Sequence, residues 1–383
     1  MSQVLSSVLR CLQGKGSDVD AVVQELNRSG KTAFDVLWRV AESHGVEFLM
    51  LQGLKNSVIS PTFDIGLGNE AARENLLNNL ELVATLHEIS RESQRRGLRV
   101  FCFKGPVIAS MAYGNLGLRG AGDLDFLIET ESLDKAEAIL KKQGFWSIDE
   151  LRGRRYQEFH FHLPFERADG LEVELHWAIS RRYLQVSFDY SQLWDRRTLL
   201  ALQGVEIAVL SPEDHFLILC VHGTRHLWER LIWVCDLRQL LKRYPGLDWA
   251  YIEAEAQRLG CFRMVVLGHF LVCRLFREAF ASRLLQEAYR QPAVLDGARS
   301  ILMRYSAGGG GVLGAFQRDW ACLLLRERWR DKLRFFCCFP WRDYLDLWEE
   351  QLWEERSNTG VIVGFSGLFK RFLVGLRHRT SKD

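Results

Sequence analysis

The chain has 383 residues, with 50 Lys and Arg against 48 Asp and Glu, and 48% of it is hydrophobic. A formal net charge of +2 excludes the strongly basic profile of a general nucleic-acid binder. The length allows two or three domains with sizeable cores.

Residues 1–95 read as a helical region. Val19, Val22, Val23 and Leu26 share one amphipathic face, with Ser17 or Asp18 as a cap. A Pro/Gly-containing stretch, Ser60 to Gly68, interrupts the pattern. A long helix over about 69–96 follows, with Leu76, Leu77, Leu80, Val83 and Leu86 expected inward and Gly97 ending it.

Residues 96–210 read as an α/β core. Arg99 to Phe103 is β-branched and aromatic, as a strand requires. It runs into Lys104-Gly105 and a short helix from Pro106 to Tyr113, closed by Gly114. A strand-glycine-helix junction directs backbone N–H groups and the positive helix end at one point, which suits a phosphate. Lys104 adds a full charge there, and Arg119 adds a fork able to take phosphate oxygens in pairs.

Asp123-Leu124-Asp125 then opens a strand that continues through Phe126, Leu127 and Ile128. Side chains alternate along a strand, so the two carboxylates share a face and Leu124 points to the core. Neighbouring acids repel until a cation joins them, and an all-oxygen pair suits a hard ion such as Mg²⁺ (or Mn²⁺). Ser132 to Gly144 has the pattern of a crossover helix, and 159–166, 171–177 and 205–210 read as strands. In the second of these, Glu172, Glu174 and His176 occupy one face. Glu174 thereby becomes a candidate third acid, as metal ligand or general base. His160 and His162 share a face of the preceding strand and are weaker catalytic candidates.

Residues 211–383 read as helical. Ser211-Pro212-Glu213-Asp214 is a helix start with a serine cap, a first-position proline and acids in the first turn. His222 and His226 stand four apart, but Gly223 between them departs from a metalloprotease pattern, which favours a cleft or packing role over zinc. Ala307 to Gly311 reads as a flexible joint. Trp341, Trp348 and Trp353 read as core anchors. Residues 360–379 mix Phe and Leu with Lys and Arg, a composition that suits a helix with a basic outer face and also a membrane-surface or partner helix.

Taken in order, Lys104-Gly105, Tyr113, Arg119, Asp123-Leu124-Asp125, His162-Leu163-Pro164-Phe165 and Glu174-Leu175-His176-Trp177 resemble a bacterial branch of the DNA polymerase beta-type nucleotidyltransferase superfamily. That branch is usually called the uncharacterised nucleotidyltransferases, or nucleotidyltransferase family 5. His222, Trp228, Trp233 and Asp236-Leu237 fit its downstream helical segment, so the likeness spans about 75–275. It implies a polymerase beta-type core with a mixed sheet, an α/β (α+β) chain flanked by helical regions. It further implies NMP transfer from an NTP to an acceptor hydroxyl or phosphate, with Asp123 and Asp125 holding metal and Glu174 as third ligand or base. Lys104, Gly105 and Arg119 would take the triphosphate, and His222 the nucleotide or acceptor. Many superfamily members carry a Gly-Ser turn where this chain has Lys104-Gly105-Pro106, which shifts phosphate contacts to Lys104 and backbone. The alternatives are an inactive nucleotide-sensing or peptide-binding scaffold and a membrane-associated accessory protein. The acceptor class (small molecule, peptide, sugar, protein or tRNA) stays open.

Nine cysteines, without a Cys-x-x-Cys pair and with Cys337 and Cys338 adjacent, argue for buried free thiols in a reducing compartment. The N-terminus has no basic start followed by an apolar run. No uninterrupted apolar stretch approaches the roughly 20 residues of a membrane span. A cytoplasmic protein is expected.

Overall fold

The computed structural model describes residues 3–14, 16–147, 160–180, 184, 186–306 and 315–338. The joint at 307–311, the three late tryptophans and the basic segment 360–379 lie outside them. Four helices open the chain: α1 (Gln3–Gln13), α2 (Gly16–Ser29), α3 (Lys31–Ser43) and α4 (Glu47–Lys55). The long helix α5 (Gly66–Arg95) follows. Val19, Val22, Val23 and Leu26 are buried, as their spacing predicts, although α2 begins at Gly16, ahead of either expected cap.

The centre is a five-stranded mixed sheet in the order β1-β2-β5-β4-β3. Its strands are β1 (Val100–Cys102), β2 (Asp123–Ile128), β3 (Trp146–Ser147), β4 (His162–Glu166) and β5 (Glu172–His176). Helix α6 (Pro106–Tyr113) joins β1 to β2, and α7 (Leu133–Lys142) leads from β2 towards β3. Strands β2 and β5 run parallel, and the other pairs are antiparallel. Leu124, Phe126, Leu163, Phe165, Val173 and Leu175 bury one sheet face against Leu82, Val83, Leu86 and Ile89 of α5. That alternation leaves the opposite face of β2 and β5 to polar side chains. A separate hairpin, β6 (Thr198–Leu202) with β7 (Val205–Val209), includes a strand that the sequence reading did not anticipate.

One expectation fails on α5. Leu76, Leu77 and Leu80 are exposed by 39%, 55% and 38%, while Asn79 is fully buried. The loop between α6 and β2 lies on this stretch, and loops need polar partners. Asn79 Nδ2 donates to the carbonyls of Leu116 and Arg119 at 3.0 Å each. Asn75 Nδ2 donates to Gly117 O and Asn78 Nδ2 to Ala121 O. Asparagines at 75, 78 and 79, unusual inside a helix, were the signal for this contact.

Helices follow from Pro212 onward. Ser211 Oγ accepts from Asp214 N at 3.2 Å, the cap read from the sequence. No helix among the described residues is long and apolar enough to cross a membrane. Cys11, Cys102, Cys220, Cys235, Cys261 and Cys273 are buried free thiols, and Cys337 is exposed.

Candidate functional site

The polar face of the sheet gathers the predicted acids. Parallel pairing sets Asp125 directly beside Glu174 and Asp123 beside Glu172. Ligand oxygens of Asp123, Asp125 and Glu174 all lie within 4.8 Å of one another. Asp125 is 1% exposed, so the cluster concentrates negative charge away from water. Burial, and then the neighbouring Asp125, push the pKa of Asp123 up. Burial alone would raise Asp125 too, but Lys104 and His176 overcome it and hold that carboxyl well below the usual range.

Lys104 supplies the balancing charge, with Nζ 2.7 Å from Asp125 Oδ1. Its place is set by the turn that follows. Gly105 adopts φ 54° and ψ −128°, and a Cβ there would stand 3.0 Å from the Asp123 carbonyl oxygen. Pro106 then starts α6, and Gly114 closes it in the left-handed region. Gly105→Ala is therefore expected to destabilise the protein by about 1–3 kcal/mol, visible as a lower Tm. An unchanged Tm would show that the turn relaxes freely.

Behind Lys104, Phe103 N donates to Asp125 O at 3.2 Å, extending the β1–β2 ladder. His215, fully buried, has its two ring nitrogens 3.1 and 3.2 Å from the carbonyls of Leu210 and Phe103. Burial lowers its pKa to about 4, so it is neutral at pH 7 and donates from one nitrogen.

Arg119 takes a different course. Its Nε lies 2.9 and 3.1 Å from the two carboxylate oxygens of Asp236, and Nη2 lies 3.0 Å from Oδ2. Tyr113 Oη donates to the same carboxylate at 2.7 Å. Asp236 is fully buried, so this pair fastens the loop before β2 to the helix Leu231–Arg243. The sequence offered Asp236 only as part of a family segment, without this partner.

Glu174 is gripped by two imidazoles. His162 Nδ1 lies 3.0 Å and His176 Nε2 lies 2.9 Å from its Oε2. Burial favours a raised Glu174 pKa, but these hydrogen bonds outweigh it and keep the carboxylate ionised. That favours the ligand role over the general-base role. His160 is exposed at the start of the same segment.

His222 and His226 end the helix Pro212–Arg225. Their rings are 4.6 Å apart, and both pack on Trp233. A Cβ on Gly223 would meet the Trp228 ring at 2.5 Å, which explains the glycine between them. Burial first, then the charges of Lys104 and other neighbours including Arg119, keep His222 well below its ordinary pKa. His222 thus belongs to the electrostatic neighbourhood of Lys104. Neither residue joins a three-ligand metal group among the described residues.

The donor chemistry fits a divalent cation. Three carboxylates meet with an all-oxygen ligand set, and a lysine already stands against one of them as counter-charge.

A family model described as uncharacterised nucleotidyltransferase matches residues 30–277, more than half of the chain. No curated protein matches it. Solved structures that overlap include the crystal structure of ANT(2'')-Ia in complex with adenylyl-2''-tobramycin. It has a TM-score of 0.34 and 15% identity, covering 47% of this chain and 97% of that one. Another is an antigenic nucleotidyltransferase-like protein from Paracoccidioides brasiliensis. Its TM-score is 0.31 and its identity 14%, covering 56% of this chain and 97% of that one. Overlaps this loose add nothing to the family match.

Proposed function

Because the chain belongs to the uncharacterised nucleotidyltransferase family, we propose that it transfers an NMP from an NTP to an acceptor hydroxyl or phosphate, releasing pyrophosphate. The observation that carries this is the meeting of Asp123, Asp125 and Glu174 beside Lys104. These three acids would hold Mg²⁺ or Mn²⁺. A bound ion supplies Lewis-acid polarisation of the α-phosphate and lowers the pKa of the acceptor oxygen.

The remaining work belongs to the chain. Lys104 exchanges Asp125 for the triphosphate when the substrate enters, since its ammonium pairs with either anion. Gly105 and the positive end of α6 approach the same phosphates without a side chain in the way. Arg119 contributes by fixing the loop through Asp236 and by its positive field, its Nε and Nη2 being committed to that pair. His222, kept neutral, offers a hydrogen bond to an uncharged part of the nucleotide or acceptor.

In this reading residues 96–210 are the transferase core, residues 1–95 brace it, and the described helices from Pro212 onward select the acceptor. Buried free thiols such as Cys102, Cys220 and Cys235 suit a reducing compartment such as the cytoplasm.

The test is incubation with each α-³²P NTP, Mg²⁺ or Mn²⁺ and cell extract, while pyrophosphate release is followed. Label should move from one or more NTPs to an acceptor, and chelation should stop it. Failure of transfer from all four NTPs with both metals sinks the reading.

A further inference from the structure

His162 and His176 both hydrogen-bond Glu174, a contact the transferase reading leaves unused. Strands β4 and β5 pair His162 directly with His176, and their rings meet edge to face at 5.0 Å. Together with Glu174 they form a second three-ligand group, with ligand atoms within 4.8 Å of one another. Two imidazoles and a carboxylate would ordinarily point to a transition metal.

The tautomer of His176 argues otherwise. Its Nδ1 is buried without a hydrogen-bond partner, and the residue is 3% exposed. A metal on Nε2 would force the ring proton onto Nδ1, where no acceptor receives it, against the usual pattern for a ligating histidine. A proton on Nε2 instead finds two acceptors, Asp125 Oδ1 at 2.9 Å and Glu174 Oε2 at 2.9 Å. Only an acceptor lone pair is then left unused, which is the smaller loss.

We infer that His162 and His176 are positioning residues: their N–H groups clamp Oε2 of Glu174, His176 ties it to Asp125, and Oε1 is left to complete the metal site. This rests on the transferase reading only in taking the three acids as the metal site. Two donors on one oxygen fix the carboxylate's rotation, and the shared His176 proton fixes its distance from Asp125. A carboxylate so held presents its second oxygen without paying to order it when metal arrives.

The experiment is Mn²⁺ binding followed by EPR, without nucleotide, on the full chain. His162→Ala is the main variant, because His162 is half-buried and its loss should leave the fold intact by circular dichroism. Its Mn²⁺ affinity should fall about 10–100-fold. His162→Gln, which keeps a side-chain N–H, should recover most of that loss. A merely structural histidine would not show selective rescue by a donor.

Wild-type affinity in His162→Ala, or equal losses in the Ala and Gln variants, overturns the inference. So does histidine ¹⁴N hyperfine coupling to bound Mn²⁺, which would make these residues ligands. A wild-type chain that binds no Mn²⁺ overturns the metal site and the clamp together. Because affinity is read without NTP, a failure of nucleotidyl transfer alone leaves the clamp standing.

Discussion

Asp123→Asn is expected to abolish transfer and yet raise the Tm of the metal-free protein at neutral pH. Both effects come from one cause. In the folded chain Asp123 is largely removed from water and also pressed against Asp125, so its charged form is disfavoured. The sign follows from linkage: a carboxyl whose folded pKa lies above its unfolded value costs nothing below about pH 4, and the penalty grows as pH rises towards neutrality. Asparagine removes that penalty, a gain of roughly 1–3 kcal/mol, while removing a charge that the proposed metal site would use. Melting in EDTA at pH 4 and pH 7.5 checks this, with the variant's advantage appearing only at the higher pH. A variant no more stable than wild type at pH 7.5, or one that still transfers, refutes it.

Asp125→Ala should abolish transfer as well, but with the opposite effect on stability. Asp125 answers Lys104 at 2.7 Å and His176 at 2.9 Å from a nearly inaccessible position. Removing it strands Lys104 and leaves His176 with Glu174 as its one remaining acceptor. Breaking a buried pair from one side typically costs about 3–5 kcal/mol, and Lys104 can relax towards water, so roughly 2–4 kcal/mol is expected. Here the folded pKa is depressed, so the stability that Asp125 contributes is present above about pH 4 and fades as pH falls below it. The deficit of the variant should therefore shrink in acid. A Tm equal to wild type at pH 7.5 would show that the Lys104 contact carries no energy.

From the sequence these two aspartates are indistinguishable, two acids on one face of a strand. Alternation was enough to place Asp123, Asp125 and Glu174 on polar faces, because a strand has only two. It was enough for the Lys104-Gly105-Pro106 turn, whose residues have few other uses. What makes the aspartates different is register across strands. Asp125 rather than Asp123 stands beside Glu174, and His176 reaches back to it. No local pattern encodes which residue of one strand faces which residue of another.

Arg119 shows the same limit over a longer distance, since its partner lies on a helix made much later. The inward leucines of α5 were misread for a related reason. Periodicity assumes that a core is apolar, whereas the stretch around Asn79 packs against loop backbone and needs amide groups instead.

The Arg119–Asp236 pair also has a consequence for synthesis. The two residues are 117 positions apart, and Arg119 leaves the ribosome first. Until Asp236 and its helix emerge, the loop ahead of Asp123 has its asparagine contacts to α5 but lacks the buried partner of its guanidinium. The strand of Asp123 and Asp125 thus lacks its finished lead-in until the second helix after Ser211 has been made. A nascent chain stopped short of Asp236 would carry Asp123, Asp125 and Glu174 with Arg119 still lacking that carboxylate.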